Sequence, residues 1–417
     1  MSFFNDDDKK IVGDLARHSA ELAAGPEQAG KIAEWKRHNA LKPGKSMVLQ
    51  APEGVWGEFV PDSVIECTDP FARSVESRLR MQLYKEHHIH DDQPFTNDFH
   101  TPIFHRENHY NLEVNTDRNP DAQGVHGAAH YNCVLNPGDD LDAIFTPRVI
   151  ERNDESTQEY YQKACELVGG ILDVKVTGQS GSWFAILDSF IQWRGLENMM
   201  FDMIDNAEWL HDVLQRMTDI EIDRYRQFEA INMLGLNNGN NSVASGGIGL
   251  TDELPSAGFD GRVRLIDQWG HATTQIFSEV SPVMHDEFAI HYESQFLAAF
   301  GLNCYGCCEP LHKKMHLVDK LPRMRRVSMS PWCDHVEGCE QVGSKYIYSV
   351  KPNPAFLCTG TYDPAPCRDE IVTVLDAAKA NGCIVEFVMK DTHTCCGEPE
   401  RYDQWSELAL QLCAEYA

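Results

Sequence analysis

What the chain lacks narrows its class first. No stretch approaches the roughly 18 uninterrupted apolar residues that a membrane-spanning helix needs. The opening residues, Met1-Ser2-Phe3-Phe4-Asn5-Asp6-Asp7-Asp8, are acidic rather than basic and then apolar. Neither a membrane span nor a signal peptide is therefore expected, and the expected location is cytoplasmic. Basic residues are scarce: 36 Lys and Arg stand against 64 Asp and Glu, a formal net charge of −28. A surface of that sign repels phosphate backbones, so nucleic acid is not an expected partner. Simple repeats and low-complexity linkers are also missing, which argues against a solenoid or a string of modules.

Cysteine is not scarce. Fourteen occur among 417 residues, and eleven of them follow residue 300. The chain is too long for a disulfide-stapled mini-protein, so buried packing, metal ligation or reactive thiols are the readings left. An apolar content of 42% is ample for a large core.

The N-terminal part reads as helical. Asp6-Asp7-Asp8 can cap a helix carrying Ile11, Val12, Leu15 and Leu22, and a break at Gly25-Pro26 precedes a second helix near Lys31 to His38. Met47-Val48-Leu49 follows as a strand. Gly44-Lys45-Ser46 is not a phosphate loop, because it precedes the strand and no glycine stands five residues upstream of Gly44.

From about residue 165, strand-like and helical stretches alternate. The strand-like runs are 171–176, 262–266, 300–304, 326–329, 346–350 and 384–389, with helices over 196–204, 207–231 and 370–380 and a last one opening at Pro399. Alternation of this kind predicts parallel β/α units. The expected fold is α/β, a (β/α)8 TIM barrel (61–417) with an N-terminal helical extension (1–60). In such a barrel the chemistry lies where strands end.

Two cysteine clusters occupy such ends: Asn303-Cys304-Tyr305-Gly306-Cys307-Cys308-Glu309-Pro310 and Asp391-Thr392-His393-Thr394-Cys395-Cys396-Gly397-Glu398-Pro399. Thiolates and imidazole are ligands that zinc prefers, and a catalytic zinc keeps one position open for substrate. Cys307, Cys308, Cys396 and His393 are the candidate ligands; small buried residues are the alternative reading. Cys333-Asp334-His335 could add a ligand or simply pack beside Trp332. The histidine-rich stretch from His87 to His109 reads as a solvated loop, with His100 kept as a possible substrate contact. Asp267 and His271, after the run 262–266, could orient substrate or move a proton, or Asp267 could cap the next segment. Lys351, after 346–350, could neutralise an anion or be a surface charge.

Several segments, taken in order, resemble the uroporphyrinogen decarboxylase superfamily, which includes zinc methyltransferases of corrinoid-dependent pathways. They are Gly195 to Met200 with Asn206 to His211, Asp267-Gln268-Trp269-Gly270, Thr274-Gln275, Ser281-Pro282, Ser349 to Pro354, and Cys396-Gly397-Glu398-Pro399. The likeness is clearest over 165–417. An N-terminal Arg-Gln-Ala-Gly-Arg element, which decarboxylases use for porphyrinogen carboxylates, is missing here. Where the methyltransferase branch has His-x-Cys before a glycine, this chain has Asn303 and Tyr305 before Gly306, so Cys307 and Cys308 would have to take their place.

The resemblance implies a zinc-dependent methyltransferase. It would move a methyl group between a small methylated compound (ether, amine or thiol) and a corrinoid protein. No Asp-x-His-x-x-Gly corrinoid-binding element occurs: Asp391-Thr392-His393 comes nearest but has Cys396 where the glycine belongs. The corrinoid is therefore expected on a partner protein. A metal-independent decarboxylase or lyase using Asp267 and Lys351, and a non-catalytic tetrapyrrole-binding protein, are the alternatives.

Overall fold

The computed structural model describes residues 2–118 and 129–417. The chain opens with helices α1 (Asp6–Ala23) and α2 (Pro26–Asn39). The Asn5 side chain accepts the Asp8 backbone N–H, capping α1 one residue before the acidic run, and Pro26 supplies the preset φ at the start of α2. Val12 and Ala16 of α1 are buried against helices α3 (Pro70–His87) and α4 (Asp154–Val168), in a cluster that also takes in Phe99 and Leu172.

The parallel strands are β1 (Met47–Gln50), β2 (Asp98–Pro102), β3 (Asp173–Thr177), β4 (Trp269–Ala272), β5 (Leu302–Tyr305), β6 (Met324–Met329), β7 (Ile347–Val350) and β8 (Ile384–Met389). Six of them form one sheet in the order β1-β8-β7-β6-β5-β4, and β2 pairs with β3 alone. Past the end of β3, isolated bridges join Gln179 to Leu234 and Phe184 to Ala272 of β4. The fold is therefore mixed α/β around a six-stranded parallel sheet. Strand hydrogen bonding does not close the expected ring among the described residues.

β1, β4, β5, β7 and β8 are buried at every position, because protein covers both faces. On β8, Val385, Phe387 and Met389 join the large outer core with residues of helices α5 (Ala207–Ala230), α6 (His335–Val342), α7 (Pro364–Asn381) and α8 (Glu400–Glu415). Val388 packs on the other face with Met47, Leu49, Trp35 of α2, Ile248 and Leu250. Side chains two apart on a strand share a face, so Glu386 lies on that inner side with Val388.

Glu386 is fully buried and gathers four segments. Its carboxylate lies 3.0 Å from His38 Nε2, 2.9 Å from Arg326 Nε, and accepts from Ser349 Oγ (2.6 Å) and the Gly247 N–H (2.8 Å). Burial alone would raise its pKa. The Arg326 charge and the His38 hydrogen bond outweigh that and hold it well below the usual carboxylate range. Arg326 also donates to Asn39 Oδ1 (2.7 Å) and sits 5.2 Å from the Trp269 ring centroid. Gly247 must be glycine for this approach, since a Cβ there would stand 2.5 Å from Glu386 Oε2.

Residues 47–50 lie in the stretch 1–60 read as the N-terminal extension, and they pair with β8 in the central sheet. The run 262–266 is not a strand: Leu265–Asp267 forms a 3-10 turn, and the strand begins at Trp269. Asp267 therefore precedes its strand instead of ending one. No helix among the described residues is long and apolar enough to cross a membrane.

Replacing Arg326 by Met leaves the Glu386 carboxylate buried without its main charge partner. We expect a loss of about 3–5 kcal/mol in urea unfolding. The double variant Arg326→Met/Glu386→Met should lose clearly less than the sum of the single losses, because the orphaned charge goes with it.

Candidate active site

The C-terminal ends of β4, β5, β7 and β8 bring together the densest group of titratable side chains near the expected mouth. After β5 the chain turns at Gly306, whose φ of +90° is open to glycine at little cost, and presents Cys307 and Cys308. The turn is fixed from below by Glu309, which is fully buried and accepts the Cys307 N–H (2.8 Å) and Thr273 Oγ1 (2.9 Å). Burial raises the Glu309 pKa.

The Cys307 sulfur lies 3.5 Å from the Cys308 sulfur and accepts from Ser245 Oγ at 3.4 Å. The Cys308 thiol, the Ser245 hydroxyl and the nearby Lys390 charge stabilise its anion against burial, lowering its pKa to about 7. Cys308 moves the opposite way, because its sulfur lies against that of Cys307 and is partly buried. The two sulfurs thus share one proton near neutral pH, and the Ser245 hydroxyl favours the negative charge on Cys307.

Two lysines face it. Lys351 is buried, donates to Ser349 Oγ at 2.8 Å, and is pushed down to about 8 by burial, with Glu386 and Cys307 opposing and Lys390 reinforcing. Lys390 donates to Asp391 Oδ1 at 2.7 Å; burial lowers its pKa, but Asp391 and Cys307 together raise it overall. His271, on β4, completes the group. Its Nε2 lies 3.1 Å from Gly306 O and so carries the proton, and its ring centroid lies 4.6 Å from that of half-exposed Trp183. Burial, with the two lysine charges against the Gly306 hydrogen bond, pushes it to about 4. It is neutral at pH 7, and its buried Nδ1 has no hydrogen-bond partner among the described residues.

Of the residues singled out in the sequence, the structure brings Cys307, Cys308, His271 and Lys351 into this group. Asp267 stands apart. Both its oxygens are taken by Arg264 and by the backbone N–H groups of Arg264 and Ser256, so it ties down the segment leading into β4 and has no reacting group beside it.

The other cysteine cluster follows β8 and is organised around Glu58. One carboxylate oxygen of Glu58 accepts from the backbone N–H groups of Cys395 (3.2 Å) and Gly397 (2.9 Å) and from the Cys395 thiol (2.9 Å). Burial and the Glu58 carboxylate push Cys395 up to about 12, which keeps it a thiol. Cys396 is exposed and points its sulfur at Cys358 O (3.3 Å), while His393 is exposed beside Gly54. His100 lies elsewhere again, on β2, with Nδ1 2.7 Å from Thr177 Oγ1. In the Cys333 segment, Asp334 caps α6 and His335 Nδ1 meets Tyr348 Oη at 2.9 Å.

Zinc needs three or four such donors on one point. Among the described residues no group of three or more His, Cys, Asp or Glu side chains converges to hold a metal ion. The arrangement does not fit the zinc set Cys307, Cys308, Cys396 and His393 as it stands.

Sequence reasoning passed over Ser245, Glu309 and Lys390. Lys390 had a signal, standing directly after a strand, and Glu309 lay inside a quoted motif. Ser245 had none, because it arrives on a loop that folds back over the inner face. A second buried network was also missed: Glu293 accepts from Thr274 Oγ1 (2.8 Å) and Tyr305 Oη (2.9 Å), and Tyr305 Oη meets His285 Nε2 (2.8 Å).

No protein-family model matches the chain. No curated protein matches either. Among solved structures, a methyltransferase from Methanosarcina mazei is similar at 11% sequence identity and a TM-score of 0.48, over 93% of this chain and 98% of its own. At that identity and TM-score the likeness carries no inference about activity or site.

Burial pushes the Glu293 carboxyl up to about 8, so the folded state holds a proton that the unfolded state releases near the ordinary glutamate value. Stability from this proton is complete at low pH and falls as pH rises toward the folded value. Between about pH 5 and pH 8 the wild-type unfolding free energy should fall relative to Glu293→Gln, with a slope approaching ~1.4 kcal/mol per pH unit. Urea unfolding of both proteins across that range measures it.

Proposed function

We propose that the chain is a methyltransferase whose reaction takes place beside Cys307 at the C-terminal ends of β4, β5, β7 and β8. It would move a methyl group between a small methylated ether, amine or thiol and a corrinoid carried by a partner protein. The observation that carries this reading is the Cys307–Cys308 thiol pair, its sulfurs 3.5 Å apart, placed with the buried Lys351 on the C-terminal side of the parallel sheet. The ordered motifs that resemble the corrinoid-linked branch support it, since Gly270, Gly306 and Lys351 all fall on or just after these strands.

When a methyl group leaves a heteroatom, that atom keeps the bonding electrons and needs a proton. Lys351, with a pKa of about 8, holds one near neutral pH and releases it easily. The Cys307 anion favours the charged ammonium and keeps that proton available before substrate binds. No step is assigned to zinc. A partner-borne corrinoid rests on the family resemblance.

A second reading has its own observation. A buried lysine with a lowered pKa is also the group that metal-free lyases use, so Lys351 keeps decarboxylation open as an alternative.

In a screen of methoxy, methylamino and methylthio donors with a corrinoid protein, we expect methylation of the corrinoid. Cys307→Ser and Lys351→Met should each slow it by roughly 10²-fold or more. An unchanged rate in either variant contradicts the proposal. Carbon dioxide release that survives chelation and depends on Lys351 favours the lyase. Stoichiometric zinc lost in both Cys307→Ser and Cys308→Ser would place a metal on the thiol pair.

A further inference from the structure

A large cavity lies apart from the thiol pair. About 1220 Å³ in volume, it is lined by the inner-face residues Asp98 and His100 of β2 and Lys175 and Thr177 of β3, by one side of α3, and by the amide-rich stretch 238–241. Cys307, His271 and Lys351 do not line it. It occupies the seam where β2 and β3 stand apart from the main sheet.

Most charges around this cavity are matched. Lys85 pairs with Asp91 at 3.2 Å and Lys175 with Asp98 at 2.6 Å, while Glu27, exposed at the rim, accepts the Gln28 amide. Two cations are not matched. Arg78 Nη1 donates to His100 O at 3.0 Å and its guanidinium carbon lies 4.2 Å from the Phe99 ring centroid, but among the described residues it has no carboxylate partner. Among the described residues, Lys31 Nζ reaches only the carbonyls of Asp91 (2.7 Å) and Gln93 (3.3 Å).

In a chain of net charge −28, carboxylates are abundant, so two cations left with carbonyls in one cavity wall stand out. The side chain of Arg78 is solvent-accessible, yet the protein around it is dense enough for desolvation to lower its pKa. A guanidinium in that position has free N–H groups in the planar fork that fits a carboxylate or phosphate oxygen pair. The walls between the polar groups include Phe95, Ile103 and Leu234.

We propose that this cavity is a second small-molecule site, which takes an organic anion with a carboxylate or phosphate head on an apolar body. Arg78 grips the head in its fork and Lys31 supplies the second positive charge. The apolar walls take the body, in the balance of apolar lining and few placed polar groups usual for ligand sites. This site is independent of the methyl-transfer reading, because binding is measured without turnover.

Isothermal titration of the full chain with phenylacetate, phenyl phosphate and the uncharged benzyl alcohol tests it. We expect at least one anion to bind more tightly than the alcohol, and the better anion to identify the head group. Arg78→Met should weaken that anion by roughly tenfold or more, as expected for a lost charge-assisted pair, while Arg78→Lys keeps part of the affinity. Lys163→Met, on the outer face of α4, should change nothing. An unchanged melting temperature in Arg78→Met separates lost binding from lost folding; if that variant unfolds, Lys31→Met provides the same comparison. Anions that bind no better than the alcohol, or equal binding by a folded Arg78→Met or Lys31→Met, would overturn the proposal.

Discussion

The interior is organised by one buried carboxylate. Glu386 could not remain ionised on the inner face of β8 without Arg326, and it uses its remaining hydrogen-bonding capacity on α2, β7 and the loop at Gly247. An apolar residue in its place would pack with Val388 and Trp35 but would tie none of these segments to the others. The demand that every buried charge find a partner therefore dictates where α2 ends, why residue 247 is glycine, and how β6 and β7 lie beside β8.

The same demand reaches the thiols. Ser349 Oγ donates to Glu386 and accepts from Lys351, so the buried lysine is placed by the carboxylate network before any substrate arrives. The Cys308 thiol biases Cys307 toward its anion most strongly, and the Ser245 hydroxyl and the Lys390 charge add to the bias. Strand ends gather these groups because parallel strands all point their C-termini to one side. That side becomes the chemical one whether or not the ring closes.

How much of this could be read from the sequence depended on whether the signal was local. β8 was read with the boundaries it has, since six apolar-rich residues between an Asn-Gly stop and a polar loop leave few alternatives. β7 and β5 were shifted by one or two residues. The run Arg262 to Ile266 misled, because its alternating apolar pattern belongs to a segment ending in a 3-10 turn fixed by the Arg264–Asp267 pair. That shift reversed the apparent place of Asp267. The open seam beside β2 could not be read at all, since strand pairing is a long-range property and Asp98 to Pro102 looks like a loop among histidines. In the candidate site, Cys307 and Lys351 were legible as polar groups just after strands, whereas His271 was read as following the run 262–266 and lies within β4. Ser245 and the partners that tune Cys307 were not, because their approach depends on a loop folding back across the sheet.

The central claim is that the fold holds Cys307 as an anion near neutral pH. Thiolate ultraviolet absorbance can be followed against pH for the wild type and for the double variant Cys307→Ser/Cys308→Ser, and the difference between the two curves isolates the thiol pair. The account predicts a difference with its midpoint at about 7. A midpoint at or above the ordinary thiol value of about 8.5 would contradict it.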